Sequence, residues 1–115
     1  MINLSDIDIT LNSNLAYKIL GSKIGKEYLT LPESFEKLHI SIGIDDTDKI
    51  VMDIIKDDIL VNKTSYFQTG YFMDSSHFAR CVIQITANNE ITMSSLWYNS
   101  NTDIAGNKYF AVKYR

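Results

Sequence analysis

One segment of the chain, WYNSNTD, combines aromatic rings with amide and carboxylate groups. Trp97 and Tyr98 offer ring faces on which the apolar face of a sugar can stack. Asn99, Asn101 and Asp103 follow at once, and their side chains can hydrogen-bond to hydroxyl groups. The segment therefore predicts a carbohydrate-binding site.

The same segment has a second interpretation that needs no ligand. Trp97 shares the two-residue alternation of Ile91, Met93 and Ser95, which favours a half-buried tryptophan of the core. Asn, Ser, Thr and Asp are also ordinary turn residues. Both interpretations stay open on the sequence, and the alternation favours the core.

A second cluster consists of the carboxylates of Asp45, Asp46 and Asp48, three within four residues. Carboxylate oxygens are ligands for hard divalent cations, so these residues are weak candidates for a metal site. The segment lacks the glycine and the distal glutamate of an EF-hand loop, and aspartate is favoured in turns. We therefore predict a solvated turn, with neither a metal nor another cofactor.

No combination of residues indicates catalysis. His39 and His77 have no second histidine, cysteine or aspartate at metal-ligand spacing, and the chain has neither a Gly-x-Ser-x-Gly motif nor a glycine-rich phosphate loop. The single cysteine, Cys81, lies in the apolar segment ARCVIQI and is predicted to be a small buried hydrophobe. The sequence predicts a protein that is not an enzyme.

A second aromatic group is spread over neighbouring segments. We expect these residues to belong to the core, or alternatively to become buried against another copy of the chain. They are Tyr66, Phe67, Tyr71, Phe72 and Phe78.

Length and charge exclude several classes of protein. The 115 residues suffice for one domain, and the net charge of −3 with scattered Lys and Arg disfavours binding to nucleic acid. No apolar run approaches the ~18–20 residues that span a bilayer, and the segment MINLSDIDIT lacks the features of a signal peptide. We expect no membrane insertion and no cleaved signal.

Composition and periodicity predict an all-β chain. Isoleucine, threonine and tyrosine occur 16, 8 and 7 times against 5 alanines, and β-branched and aromatic residues fit pleated sheets. Residues 1–14 are polar and are predicted to be a lead-in or an edge strand, and residues 15–115 a single domain. The absence of crossover helices favours an antiparallel β-sandwich, similar to a jelly roll, of about eight short strands.

Individual strands follow from local patterns. Residues 15–20 and 27–31 are spaced as a hairpin, and alternation begins at Leu38. Residues 81–85 and 90–97 form a predicted hairpin around Asn88-Asn89, and residues 65–73 a strand bent or closely approached at Gly70. Residues 108–114 are the last predicted strand.

Several short sequence motifs resemble those of a domain at the C-terminal ends of phage and prophage tail-fibre and baseplate proteins of low-GC Gram-positive bacteria. They occur along this chain in the same order as in that domain. The resemblance extends from Tyr17 to Arg115, although Tyr17 stands where the pattern has tryptophan and no glycine follows Asn99. The motifs are YKILGS, LTLPESFEKLHI, GYF, ARCVIQI, LWYN and FAVKYR.

This resemblance implies a β-sandwich of a virion, assembled as a homotrimer, that contacts other tail or baseplate proteins and a host cell-surface glycan. It supplies no ligand residues, so the candidate site rests on residue chemistry. Two alternatives stay open: a carbohydrate-binding module of a bacterial hydrolase, and an acidic regulatory or inhibitor protein of a mobile element. The charge of the latter would come from Asp45, Asp46, Asp48, Asp53, Asp57 and Asp58.

Overall fold

The computed structural model describes residues 16–115 as two four-stranded antiparallel sheets packed face to face. This confirms the predicted all-β sandwich of eight strands; the lead-in or edge strand predicted for residues 1–14 lies outside the described residues. One sheet has the order β1-β8-β3-β4 and the other β2-β7-β6-β5. The strands are β1 Lys18–Ile24, β2 Leu29–Thr30, β3 Lys37–Gly43, β4 Lys49–Ile55, β5 Ser65–Asp74, β6 His77–Ile85, β7 Glu90–Tyr98 and β8 Tyr109–Tyr114.

Alternating side chains place the core between the sheets. In β3, Leu38, Ile40 and Ile42 are fully buried, whereas His39 and Ser41 between them lie on the outer face. Strand β6 repeats the pattern with Cys81 and Ile83 in the core. Burying such side chains is worth roughly 1.5–3 kcal/mol each, so the period-two pattern fixes which face of each strand packs inward.

Cys81 is a buried core residue, as predicted. Its side chain is 0% exposed, and burial raises the pKa of the thiol to about 11. A thiol is the reactive species only when deprotonated, so Cys81 serves as a small hydrophobe in the folded protein.

The hairpin predicted for residues 15–20 and 27–31 is wrong. Strand β1 pairs with the last strand, β8, and β2 pairs with β7 in the other sheet. Gly25, whose backbone lies against Ala105, is in the connection that changes sheet, and a Cβ there would lie 2.1 Å from the Ala105 carbonyl oxygen. The short spacing therefore marks a crossing between the sheets.

The β6–β7 hairpin agrees with the sequence prediction. Ile85 pairs with Ile91, and Asn89 adopts a positive φ of 60° in the turn, a conformation that asparagine tolerates. The Thr86 hydroxyl accepts hydrogen bonds from the Asn88 and Glu90 backbone N–H groups at 3.3 Å. Within residues 16–115, no helix has the length and apolar character needed to cross a bilayer.

Candidate functional site

The outer face of the β2-β7-β6-β5 sheet carries a stack of Arg80 on Trp97. These residues are direct partners across β6 and β7, and the guanidinium carbon lies 4.8 Å from the centroid of the indole ring. Arg80 Nε also donates a hydrogen bond of 3.1 Å to Gln68 Oε1 on β5. The Trp97 indole and the Gln68 amide together fix the guanidinium plane, and the distance to the indole is that of a cation–π contact.

A bulge in β7 is the reason that Trp97 faces outward. Ile83 pairs with Met93 but the preceding residue, Val82, pairs with Ser95, so Ser94 is an extra residue in β7. An extra residue shifts the alternation by one position. Beyond it Leu96 enters the core. Trp97 is half-buried, as predicted, but it lies on the outer face, so its predicted place in the core is wrong.

A shallow concavity of about 330 Å³ lies beside this stack. We call it the Gly70 trough, and it comprises Gln68, Gly70, Phe72, Phe78 and Arg80. The absence of a side chain at Gly70 opens its floor, and the Phe72 and Phe78 rings, with centroids 6.2 Å apart, close one end. The trough thus brings two aromatic rings, an amide and a guanidinium to one surface.

Gly70 cannot be replaced without moving the backbone. A Cβ at this position would lie 2.0 Å from the carbonyl oxygen of Ala79 on β6, far inside van der Waals contact. The prediction of a close backbone approach at Gly70 is therefore confirmed. The register of β5 shifts two residues later, between Phe72 and Asp74.

The predicted site segment divides between two faces of the sheet. Tyr98 pairs with Ala79 and packs against the core, on the opposite side of the sheet from Trp97. Asn99 has a positive φ of 56°, and its Oδ1 accepts a hydrogen bond of 2.9 Å from the Phe78 backbone N–H. Of the five predicted ligand residues, Trp97 contacts the Arg80 side chain of the trough, whereas Asn99 contacts only the Phe78 backbone.

The other two predicted residues lie in the loop before β8. Asn101 is exposed. Asp103 Oδ1 accepts hydrogen bonds from the backbone N–H groups of Leu96 at 3.0 Å and Ala105 at 2.9 Å, and Oδ2 pairs with Lys26 Nζ at 3.1 Å. Desolvation tends to raise the pKa of Asp103, but these N–H groups and Lys26 lower it overall. Asp103 is thus committed to holding its own loop.

The aspartate cluster forms a turn between β3 and β4. Asp45 Oδ1 accepts hydrogen bonds from Thr47 N at 2.9 Å, Thr47 Oγ1 at 3.1 Å and Asp48 N at 2.8 Å, which lowers the pKa of Asp45. Asp46 is exposed. In the described part of the chain, no three His, Cys, Asp or Glu side chains converge as metal ligands. Asp45 is occupied by the turn that the sequence predicts.

Two tyrosines connect this turn to the other sheet. Tyr71 Oη donates a hydrogen bond of 2.8 Å to Asp48 Oδ2, and Tyr98 Oη lies 3.5 Å from the same oxygen. The hydrogen bond to Asp48 raises the pKa of Tyr71 to about 12. The predicted cation cluster and the predicted sugar segment therefore meet at one end of the sandwich, where Asp48 and Tyr98 make contact.

A larger cleft of about 570 Å³ lies at the opposite end of the sandwich. Leu31, Phe35 and Ile59 contribute apolar side chains to it, and Asn88 lies on its rim. Phe35 packs against the core beneath Lys56, whose Nζ is 5.1 Å from the ring centroid. An ammonium is a mobile point charge, whereas a stacked guanidinium holds its donors in a plane, so we take the trough as the better candidate.

The sequence prediction missed Arg80 and Gln68. Arg80 lies in the alternation opposite to Cys81 and Ile83, and this is the signal from which an outward cation could have been predicted. Its contact with Trp97 depends on the Ser94 bulge, for which the sequence carries no signal. Of the aromatic group predicted for the core or for an interface, Phe67 packs against the core, whereas Phe72 and Phe78 flank the trough.

Comparisons of the chain with protein-family models, with curated proteins and with solved structures find no match.

Proposed function

We propose that this protein is a non-catalytic attachment module of the phage-tail type, and that it binds a cell-surface carbohydrate at the Gly70 trough. The observation that carries the proposal is the Arg80–Trp97 stack beside an open, aromatic-lined trough. The resemblance of the sequence motifs to those of tail-fibre and baseplate domains supports the same class of function. Location in a virion, contact with other tail proteins and a homotrimeric assembly stay predictions from that resemblance.

The chemistry of the trough suits a sugar ring. Phe72 and Phe78 can contact its C–H groups, while Arg80 and Gln68 can hydrogen-bond to its hydroxyls. Within the described residues, Arg80 Nε donates its hydrogen bond to Gln68, and the two Nη groups of Arg80 make no further hydrogen bond. The Nη groups are therefore available to a ligand. Since a guanidinium binds carboxylate and phosphate in a bidentate manner, acidic glycans belong among the candidates.

Competing functions receive less support. The six aspartates of the inhibitor hypothesis do not form one patch, because the seven-residue strand β4 separates Asp48 from Asp57, about 23 Å of extended chain. Asp53, within β4, pairs with Lys37 and His39. A carbohydrate-binding module of a hydrolase would use the same trough, and the genes beside this one distinguish it from a tail protein.

A glycan array of neutral and acidic cell-surface sugars, probed with the full chain, tests the proposal. We expect binding that Arg80→Ala weakens at least about tenfold, corresponding to about 1.4 kcal/mol, and that Arg80→Lys only partly retains, since lysine lacks the planar fork. Tyr109→Ala is the matched control, because Tyr109 is a 60% exposed aromatic residue of the other sheet. Binding that resists Arg80→Ala, or that Asn88→Ala abolishes at the opposite cleft, would contradict the trough as the site.

A further inference from the structure

The two sheets have four edge strands, and they differ in how they are protected. Edge strands expose unpaired N–H and C=O groups, and natural proteins block them with charges, bulges or short length. Strand β1 carries Lys18 and Lys23 and a register shift, β2 has two residues, and β4 carries Lys49 and Asp53. Strand β5 has ten residues, and both its single charge, Asp74, and its register shift, between Phe72 and Asp74, lie at its end. Among the described edges, β5 is long and unprotected.

The side chains of β5 are unusually exposed for their type. Tyr66, Phe72 and Met73 are 62%, 74% and 78% exposed, and the partly exposed Tyr71 lies between them. Fully burying an aromatic side chain removes 150–250 Å² from solvent, so these partly exposed residues offer at most about 400–500 Å² per copy. Two copies with their strand backbones approach the ~1,000 Å² that a specific interface needs.

We propose that β5 pairs antiparallel with β5 of a second copy of this chain, and that the two sheets join into one sheet of eight strands. In antiparallel pairs, directly opposite residues point to the same face. A register with Thr69 on the two-fold axis places Tyr66 opposite Phe72 of the second copy, twice. It also places Gln68 opposite Gly70 of the second copy, so that each Gln68 side chain faces a residue that has no side chain.

Charge favours the same register. Residues 65–73 carry no charge, so no like charges meet along the paired segment. Asp74, whose carboxylate bonds Ser76 and His77 of its own turn, would also come near Lys63, just before β5 of the second copy, at both ends of the pair. The symmetry is that of an isologous interface, which closes at two copies.

The pairing has a consequence for binding. With the two-fold axis perpendicular to the sheet, the outer faces of both copies lie on one side, and the two Gly70 troughs face the same surface. Two sites that engage together gain affinity through effective concentration. The contact is two-fold and is distinct from the three-fold assembly that the family resemblance implies.

Light scattering of the full chain after size-exclusion chromatography, without any glycan, tests the pairing separately from carbohydrate binding. We expect a mass of twice 13.1 kDa at micromolar concentrations. Phe72→Glu should give a monomer that circular dichroism shows to be folded. Val51→Glu should not change the mass, because Val51 is a 49% exposed residue of the edge strand β4.

The double variant Tyr66→Lys/Phe72→Glu tests the register. It places opposite charges across the proposed pair, and we expect it to restore the dimer that Phe72→Glu alone loses. A monomeric wild type, or an assembly whose mass Phe72→Glu leaves unchanged, would overturn the proposal. A folded double variant that stays monomeric would overturn the register.

Discussion

Tyr71, near the end of β5, donates its phenolic hydrogen bond to Asp48, in the turn between β3 and β4. The 2.8 Å contact joins the edge of one sheet to the other sheet, and Tyr98 approaches the same carboxylate oxygen from β7. A carboxylate that accepts this bond disfavours loss of the phenol proton, because ionisation would place two negative charges side by side. The contact ties the turn end of the β5–β6 hairpin, which carries Phe72 and Phe78, to the other sheet.

Replacing Asp48 should return Tyr71 to ordinary acidity. In Asp48→Ala the pKa of Tyr71 should fall from about 12 towards 10, since the hydrogen bond and the negative charge are both removed. Tyrosinate absorbance, titrated for each protein and compared with a Tyr71→Phe variant, measures the shift. Asp46→Ala serves as the control, and an unchanged Tyr71 titration in Asp48→Ala would show that the contact does not form in solution.

The same contact sets a direction for stability against pH. Because the folded protein raises the pKa of Tyr71, the contact stabilises the fold fully below pH about 10, the ordinary tyrosine value, and loses this effect as the pH rises towards 12. Urea denaturation in that alkaline range should therefore show a smaller pH dependence for Tyr71→Phe than for the wild type.

Gly70→Ala should destabilise the protein by at least about 2 kcal/mol in urea denaturation, because its Cβ would overlap the Ala79 carbonyl oxygen and separate β5 from β6. Gly43→Ala is a matched control on an exposed strand end. A Cβ at Gly43 has no atom within 4 Å, so we expect a change within about 0.5 kcal/mol. Equal effects of the two variants would contradict the close approach at Gly70.

Asp103→Ala should destabilise the loop that precedes β8. It leaves the backbone N–H groups of Leu96 and Ala105 without their acceptor, which costs roughly 1–3 kcal/mol. Lys26→Ala should cost less than about 1 kcal/mol, since the Lys26 side chain is 57% exposed and water screens its charge. Asn101→Ala, in the same loop, provides the baseline in the same denaturation experiment.

Acidification should imitate Asp103→Ala. The folded protein lowers the pKa of Asp103, so the stabilisation is present above the ordinary aspartate value and is lost as the pH falls through the lowered one. The difference in unfolding free energy between wild type and Asp103→Ala should shrink below pH about 4. A difference that persists unchanged at lower pH would contradict this role for the carboxylate.

The sequence was sufficient for those parts of the fold that depend on local alternation and turn chemistry. Leu38 to Ile42 alternate without interruption, and Asn89 suits the positive φ of its turn, so β3 and the β6–β7 hairpin were predictable. The pairing of β1 with β8 was not, because it joins opposite ends of the described chain and only tertiary packing selects it.

The candidate site was less predictable for a related reason. A single bulge residue, Ser94, reverses the alternation that places Trp97, and nothing in its own chemistry distinguishes it from a regular strand residue. Asn99 and Asp103 have side chains suited to sugars, but an oxygen of each accepts a hydrogen bond from a backbone N–H group of the fold. Residue chemistry alone does not reveal which polar groups form hydrogen bonds within the fold itself.

Trp97 is the single tryptophan of the chain, and its emission therefore reports on the Arg80 stack without labelling. The most direct test of the trough is a fluorescence titration with a glycan that the array identifies, alongside calorimetry of the same pair. We expect a saturable change in Trp97 emission with the calorimetric affinity, together with reduced quenching by acrylamide. Saturable heat of binding with unchanged Trp97 emission and quenching would place the carbohydrate elsewhere and contradict the proposed site.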